Sequence, residues 1–151
     1  MERGNVYERK RPKAGGDTEA LIKRLGLIGH IRFVADASHE EINYLYAESA
    51  VAVVPSLYEG FGLPAVEAMS AGIPLVSSDG GALAEVVADG GLLVLAGDSD
   101  ALAEAIERVL TDFALASALG ERGRQRVERQ FCWSVCAQQM VVQYRACMDA
   151  C

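Results

Sequence analysis

Apolar and polar positions alternate along this chain in two distinct periods. From Thr18 the helical period holds, with Leu21, Ile22 and Leu25 on one face and Gly26 and Gly29 closing the segment. Ile31-Arg32-Phe33-Val34 reads as a short strand, and Ser38-His39-Glu40-Glu41 has the spacing of a capping box that opens a helix with Ile42, Leu45 and Tyr46 on one face. Val51 to Val54 is an unbroken β-rich run, the pattern of a strand covered on both faces. A second helix follows and stops at Gly72 and Pro74. Pro74 to Ser78 is the next strand, Gly80-Gly81 a turn, Glu85-Val86-Val87 a short helix and Leu92 to Leu95 a fourth strand. Asp98 or Ser99 caps a helix that turns Leu102, Ala105, Ile106, Val109 and Leu110 inward. Residues 113–148 read as helix, with breaks near Gly120 and Phe131, and Trp133 and Tyr144 join Phe131 in pinning the last helix.

Strands alternating with helices at short spacing predict an α/β domain: a Rossmann-like parallel sheet with helices on both faces, followed by a helical carboxy-terminal tail. The pattern sets residues 1–16, with Arg3, Arg9, Lys10, Arg11 and Lys13, apart as a basic, loosely ordered lead-in. It makes residues 17–151 a single domain. Four strands are fewer than the five or six usual for such a fold, so one or two front elements are expected to be absent. An open front edge would leave backbone groups unpaired, an invitation to homodimerise.

Composition narrows the function. With 14 Lys+Arg against 21 Asp+Glu, the net charge of -7 argues against nucleic-acid binding but not against a small phosphate-bearing ligand held by a local donor cluster. No apolar run reaches the length of about 18 residues that a membrane span needs, and the start of the chain lacks the apolar core of a signal peptide, so a cytoplasmic protein is expected. The four cysteines crowd the last twenty residues, unlike a distributed disulfide framework. The Cys132–Cys136 and Cys147–Cys151 pairs would stand about 22 Å apart along a continuous helix, too far for one metal ion. Arg122, Arg124, Arg126 and Arg129 read first as a solvated helix face, with docking to the inner membrane surface ranked below it. His30 and His39 read as surface residues.

The chemistry concentrates between Pro55 and Glu67. Glu59 follows the Val51–Val54 strand, Gly60 and Gly62 allow close approach to the backbone, and Pro64 suits a first helical position. The N–H groups of Leu63, Ala65 and Val66 are then expected to point out of the helix start, where the dipole favours a diphosphate. Glu67, about one turn in, can accept hydrogen bonds from paired hydroxyls such as those of a ribose, and Glu59 can do the same for a sugar. Each feature singly is also what an ordinary tight turn and helix start would show; the combination at the carboxyl end of a strand favours a site.

Glu59 and Glu67, enclosing Gly60-Phe61-Gly62-Leu63-Pro64 and followed by Ala68-Met69, resemble the E-x7-E motif of retaining GT-B glycosyltransferases, the glycosyl transferases group 1. The resemblance runs through Leu25-Gly26-Leu27, Pro55-Ser56, Ala71-Gly72-Ile73-Pro74, Gly80-Gly81, Glu85-Val86-Val87, Gly91-Leu92-Leu93-Val94 and Gly97-Asp98, in family order, over about residues 12–146. It implies the carboxy-terminal, donor-binding half of a GT-B fold. It also implies a hexosyltransferase activity that moves a sugar from a UDP-, GDP- or ADP-sugar to an acceptor with retention of configuration, without metal or other cofactor. By position, Glu59 contacts the donor sugar and is the catalytic candidate, and Glu67 holds the ribose. Gly60, Phe61, Gly62 and Leu63 present backbone to sugar and diphosphate, and the segment near Ala37 meets the base.

The resemblance also implies parts that these residues do not supply. The Arg and Lys that grip the diphosphate, and the amino-terminal Rossmann domain with its acceptor site, are expected upstream. Arg9-Lys10-Arg11 is not given the gripping role, since no strand is predicted before it. The chain alone is therefore expected to be inactive in transfer. The other reading is a truncated, non-catalytic remnant or interaction module that keeps the fold, dimeric through its sheet edge. Ala84, where the family favours Pro, and Leu95-Ala96, where it favours Pro-Pro, are departures of loop shape.

Overall fold

The computed structural model describes residues 6–8, 16–34 and 36–149, in two compact units, Met1–Leu45 and Tyr46–Cys151. Of the residues singled out above, Arg3, Arg9, Lys10, Arg11, Lys13 and Cys151 lie outside the described residues.

The first unit contains β1 (Val6–Glu8), α1 (Asp17–Arg24), β2 (Ile31–Phe33) and most of α2 (His39–Glu48). β1 corrects the sequence reading: a strand does precede Arg9-Lys10-Arg11, pairing in parallel with β2 in the register Val6↔Ile31. Its three residues, Val-Tyr-Glu, carry too little apolar pattern to announce it; the Tyr7 ring instead lies beside the Arg32 guanidinium, 6.0 Å from its centroid. The capping box forms as expected. Ser38 N–H donates to Glu41 Oε2 at 2.8 Å and Glu41 N–H to Ser38 Oγ at 3.2 Å. The Ser38 backbone bond, then its hydroxyl bond, holds the Glu41 carboxyl below the usual carboxylate range. Since these bonds exist only in the folded helix, the box contributes stability above the unfolded carboxylate's pKa and loses it as pH falls through the lower folded value. Glu41→Ala removes the carboxylate itself and is expected to abolish that acid dependence, read as lower amide protection at the start of α2 whose difference from wild type narrows at low pH.

The second unit is built on a three-stranded parallel sheet, β3 (Ala52–Val54), β4 (Leu75–Ser78) and β5 (Leu92–Val94), in the order β3-β4-β5. β4 is the enclosed strand, buried at all four positions, whereas Val53 of β3 keeps 37% exposure; it is β4 rather than β3 that matches a strand covered on both faces. Successive β4 residues serve opposite faces. Leu75 joins Ala65, Ala68 and Met69 of α3 (Leu63–Ser70) and Leu83, Val86 and Val87 of α4 (Leu83–Val87) in one buried cluster. Val76 joins Ala105 and Val109 of α5 (Ser99–Thr111) and Leu119 of α6 (Phe113–Gln130) in the other. Asp98 is the cap of α5, accepting from Ala101 N–H at 2.9 Å. Gly72, at φ +74, ends α3 in a Schellman turn, with Gly72 N–H on Met69 O and Ile73 N–H on Ala68 O.

α6 runs unbroken through Gly120, contrary to the expected break there. Packing overrides glycine's weak helix propensity. A Cβ on Gly120 would strike the carbonyl of Gly72, and one on Gly123 would meet Gly90 O and Met69 Cγ at 3.0 Å. The two glycines thus seat α6 directly on the chain that ends α3 and on the single 3-10 turn at Ala88–Gly90. Gly120→Ala is expected to destabilise by about 1–3 kcal/mol despite alanine's helix preference, because backbone on both sides cannot yield as a side chain can. Urea denaturation checks it; an unchanged or raised midpoint would contradict the close seating.

Arg126 departs from the solvated face expected of it. Its Nε donates to Val86 O at 2.8 Å and its Nη2 to Glu85 O at 2.6 Å, closing off the carboxyl end of α4. The break at Phe131 does occur, before α7 (Trp133–Asp149), but Trp133 is 90% exposed and Tyr144 62%, so neither pins that helix; of these three aromatic residues Phe131 is the one that packs on the buried cluster.

Candidate functional site

The loop after β3 and the turn after β4 meet at the carboxyl end of the second unit's sheet, where parallel sheets place their ligands. Two serines that end β4 tie them. Ser78 Oγ donates to Ser56 O, and Ser77 Oγ, fully buried, reaches Ser78 O at 2.9 Å and Val54 O at 3.3 Å. Gly80 and Gly81 then bring the turn onto the backbone of the loop. Glu59 N–H donates to Gly80 O, Ala82 N–H donates to Glu59 O at 2.9 Å, and Glu59 and Gly81 form a parallel bridge. A Cβ at Gly80 would stand 2.5 Å from Leu57 O, and one at Gly81 would strike Glu59 O. The Glu59 side chain is half-buried and accepts from Ser56 Oγ at 2.8 Å, which fixes one carboxylate oxygen and leaves the other for a ligand hydroxyl.

Gly62 caps α3 at φ +91, ψ 50, a conformation that costs any residue with a Cβ. Its own Cβ would lie 2.6 Å from Leu83 Cδ2, so the loop sits flush on the buried core. No hydrogen bond among the described residues occupies the N–H groups of Gly60, Phe61, Gly62 and Leu63. Ala65 and Val66 are different from expectation: both donate to Gly62 O, at 2.9 and 3.3 Å, so the uncommitted donors begin earlier and lie in the loop, with Leu63 the last of them. Phe61 is 43% exposed and Leu63 63%. Glu67, half-buried on the second turn of α3, accepts from Tyr46 Oη at 3.3 Å; the same hydroxyl lies 3.4 Å from Pro64 O.

The structure therefore brings Glu59, Gly60, Phe61, Gly62, Leu63 and Glu67 onto one continuous loop-and-helix segment. Ala37 lies in the first unit, half-buried between β2 and the capping box. Ser56, Tyr46, Ser77 and Ser78 were named in the sequence only as parts of elements or of the family resemblance, not as site residues. The signal that could have found the serines is a pair of small hydroxyls closing an otherwise apolar strand. A concavity of about 680 Å³ lies elsewhere, at the amino ends of β3 and β4 beside Ala50, Gly72, Pro74, Val109, Phe113 and Gly120. It lacks a carboxylate pair, and its one acid, Glu121, is salt-bridged to Arg124 at 3.1 Å. Among the described residues no cluster of three or more His, Cys, Asp or Glu is arranged to hold a metal, and no helix is long and apolar enough to cross a membrane.

The family model described as "Glycosyl transferases group 1" matches residues 14–126, most of the chain and all of the segment just described. The chain belongs to the glycosyl transferases group 1. Among curated members it is 43% identical over 132 residues to the MMP alpha-(1->4)-mannosyltransferase of Mycolicibacterium hassiacum, covering 85% of this chain and 32% of that protein. It is 39% identical over 125 residues to the O-antigen chain mannosyltransferase B of Escherichia coli, covering 83% of this chain and 32% of that protein. Among solved structures, the sucrose-phosphate synthase of Thermosynechococcus elongatus superposes with a TM-score of 0.82 at 38% identity, over 99% of this chain and 39% of the other. HepE of Anabaena, crystallised with UDP, gives 0.79 at 26% identity, over 86% and 36%. These neighbours are GT-B proteins, and the expected fold holds: Rossmann-like parallel sheets with helices on both faces and a helical tail. The chain spans about a third of the length of the glycosyltransferases it matches.

Proposed function

We propose that the loop from Glu59 to Glu67 binds the donor of a glycosyl transfer, a nucleoside diphosphate sugar. The observation that carries this reading is the pairing of two oriented carboxylates, Glu59 held by Ser56 and Glu67 by Tyr46, across a run of four uncommitted backbone N–H groups. The donors suit a diphosphate's oxygens and the carboxylates suit the hydroxyls on either side of it. Glu67 takes the ribose and Glu59 the transferred sugar, with Gly60, Phe61, Gly62 and Leu63 on the diphosphate. Placing the base at the backbone near Ala37 rests on the sequence resemblance alone. HepE, a structural neighbour, holds UDP in one crystal structure and UDP-glucose in another, which supports a nucleotide sugar as ligand.

Donor recognition in this reading needs no metal, and transfer proceeds with retention. Because the chain spans about a third of its relatives, the transfer itself is a proposal for a longer protein, and the 151 residues alone are expected to bind donor without turning it over. Calorimetric titration of the chain with UDP-, GDP- and ADP-sugars tests the reading. Saturable binding of one of them, insensitive to EDTA, is expected; no binding of any would end it. The remnant reading predicts neither binding nor transfer, so the same titration separates the two.

A further inference from the structure

We propose that Phe131, beyond the residues the family model matches, is a positioning residue for the donor loop, a role that rests on the donor reading above. Phe131 ends α6, and its ring meets Phe61 edge to face, with centroids 5.7 Å apart and planes at 88°. Its other flank is held: the Arg126 guanidinium lies 5.9 Å from the Phe131 centroid while donating to the carbonyls of Val86 and Glu85, and its Nη1 stands 3.7 Å from Asp89.

Phe131 also packs on the buried cluster that contains Leu83, the side chain that abuts Gly62. Phe61 is thus a part-exposed side chain set edge to face with a ring that is held in place from behind. Gly60 and Gly62 on either side of Phe61 supply no side-chain packing of their own, so the rotamer of Phe61 is the lever that sets the direction of the loop's N–H groups. An edge-to-face aromatic pair has a preferred geometry, where an aliphatic neighbour of equal bulk has none. The brace therefore acts through orientation, and the side chain that supplies it stands outside the motif.

The test compares Phe131→Leu, which keeps bulk, with Phe131→Tyr, which keeps the ring, in the 151-residue chain. Val109→Ala, in the opposite buried cluster, serves as the control for lost stability. Without nucleotide, the amide resonances of Gly60 to Leu63 are expected to shift or broaden in Phe131→Leu and to stay near wild type in Phe131→Tyr and Val109→Ala. With the nucleoside diphosphate that the wild type binds, Phe131→Leu is expected to weaken affinity by about 3- to 10-fold, the reach of one aromatic pair. Phe131→Tyr should bind as wild type. Unchanged Gly60–Leu63 amides in Phe131→Leu, or equal changes in Val109→Ala, overturn the brace. Absence of nucleotide binding by the wild type overturns the donor reading instead, and the ligand-free spectra still decide whether Phe131 sets the loop.

Discussion

Gly62→Ala is expected to lower the stability of the chain by about 2–5 kcal/mol and to abolish measurable donor binding. Two costs combine. At φ +91 a Cβ is strained against its own backbone, by about 1–2 kcal/mol. The same Cβ would enter Leu83, whose Cδ2 lies 2.6 Å from that position and whose side chain is fully buried, so relief requires moving the loop off the core. Overpacking of this kind costs about 1–3 kcal/mol, and for a chain of this length each kcal/mol lowers the melting temperature by about 2–4 °C. Thermal denaturation with calorimetric titration reads both effects. Adding Leu83→Ala removes the collision but not the strain, so the double variant should be less destabilised than the sum of the two singles. A Gly62→Ala protein that melts within a degree or two of wild type would show that the loop is not seated as described.

Glu67→Ala is the second large effect. If Glu67 accepts from paired ribose hydroxyls, its loss removes charge-assisted hydrogen bonds worth about 1.5–3 kcal/mol, and affinity should fall by about 10- to 100-fold. The fold should tolerate the change, because the side chain is only half-buried. The Tyr46 bond complicates a simple reading, since Glu67→Ala also releases that hydroxyl. Tyr46→Phe separates the two: it keeps the carboxylate and loosens its aim, for an expected loss of only a few fold. Affinity unchanged in Glu67→Ala would remove the ribose assignment, and affinity lost equally in both variants would mean that the tyrosine, not the carboxylate, meets the ligand.

Where local pattern and burial agree, the sequence was legible. Val51 to Val54, Pro74 to Ser78 and Leu92 to Leu95 each contain the strand they predict, and Ser38 and Glu41 form their box, because both signals are local. The failures are tertiary. β1 exists through its pairing with Ile31 to Phe33, more than twenty residues away, and its own three residues do not specify it. Gly120 looked like a helix break because nothing near it in sequence reveals the carbonyl of Gly72 against its Cα. Trp133 and Tyr144 looked like packing residues by type, and type does not determine burial. The candidate site shows the same division. Glu59, Glu67 and the glycines between them could be named from spacing, but the Ser56 and Tyr46 bonds to the two carboxylates and the contact of Phe131 with Phe61 come into view only with the chain folded.

The bridge between Glu59 and Gly81 bears on how a donor would enter. A loop hinged at its two ends alone could swing away from the sheet to admit a ligand and close behind it. Here the loop is stitched midway to the turn after β4, and that turn runs directly into Leu83 of the buried cluster. Opening by the loop alone would break the Glu59–Gly80 and Glu59–Ala82 bonds together, and opening with the turn would drag α4 out of the core. Within the second unit this face is thus a fixed plate, and a donor that binds as proposed would meet a preformed surface rather than one that closes over it.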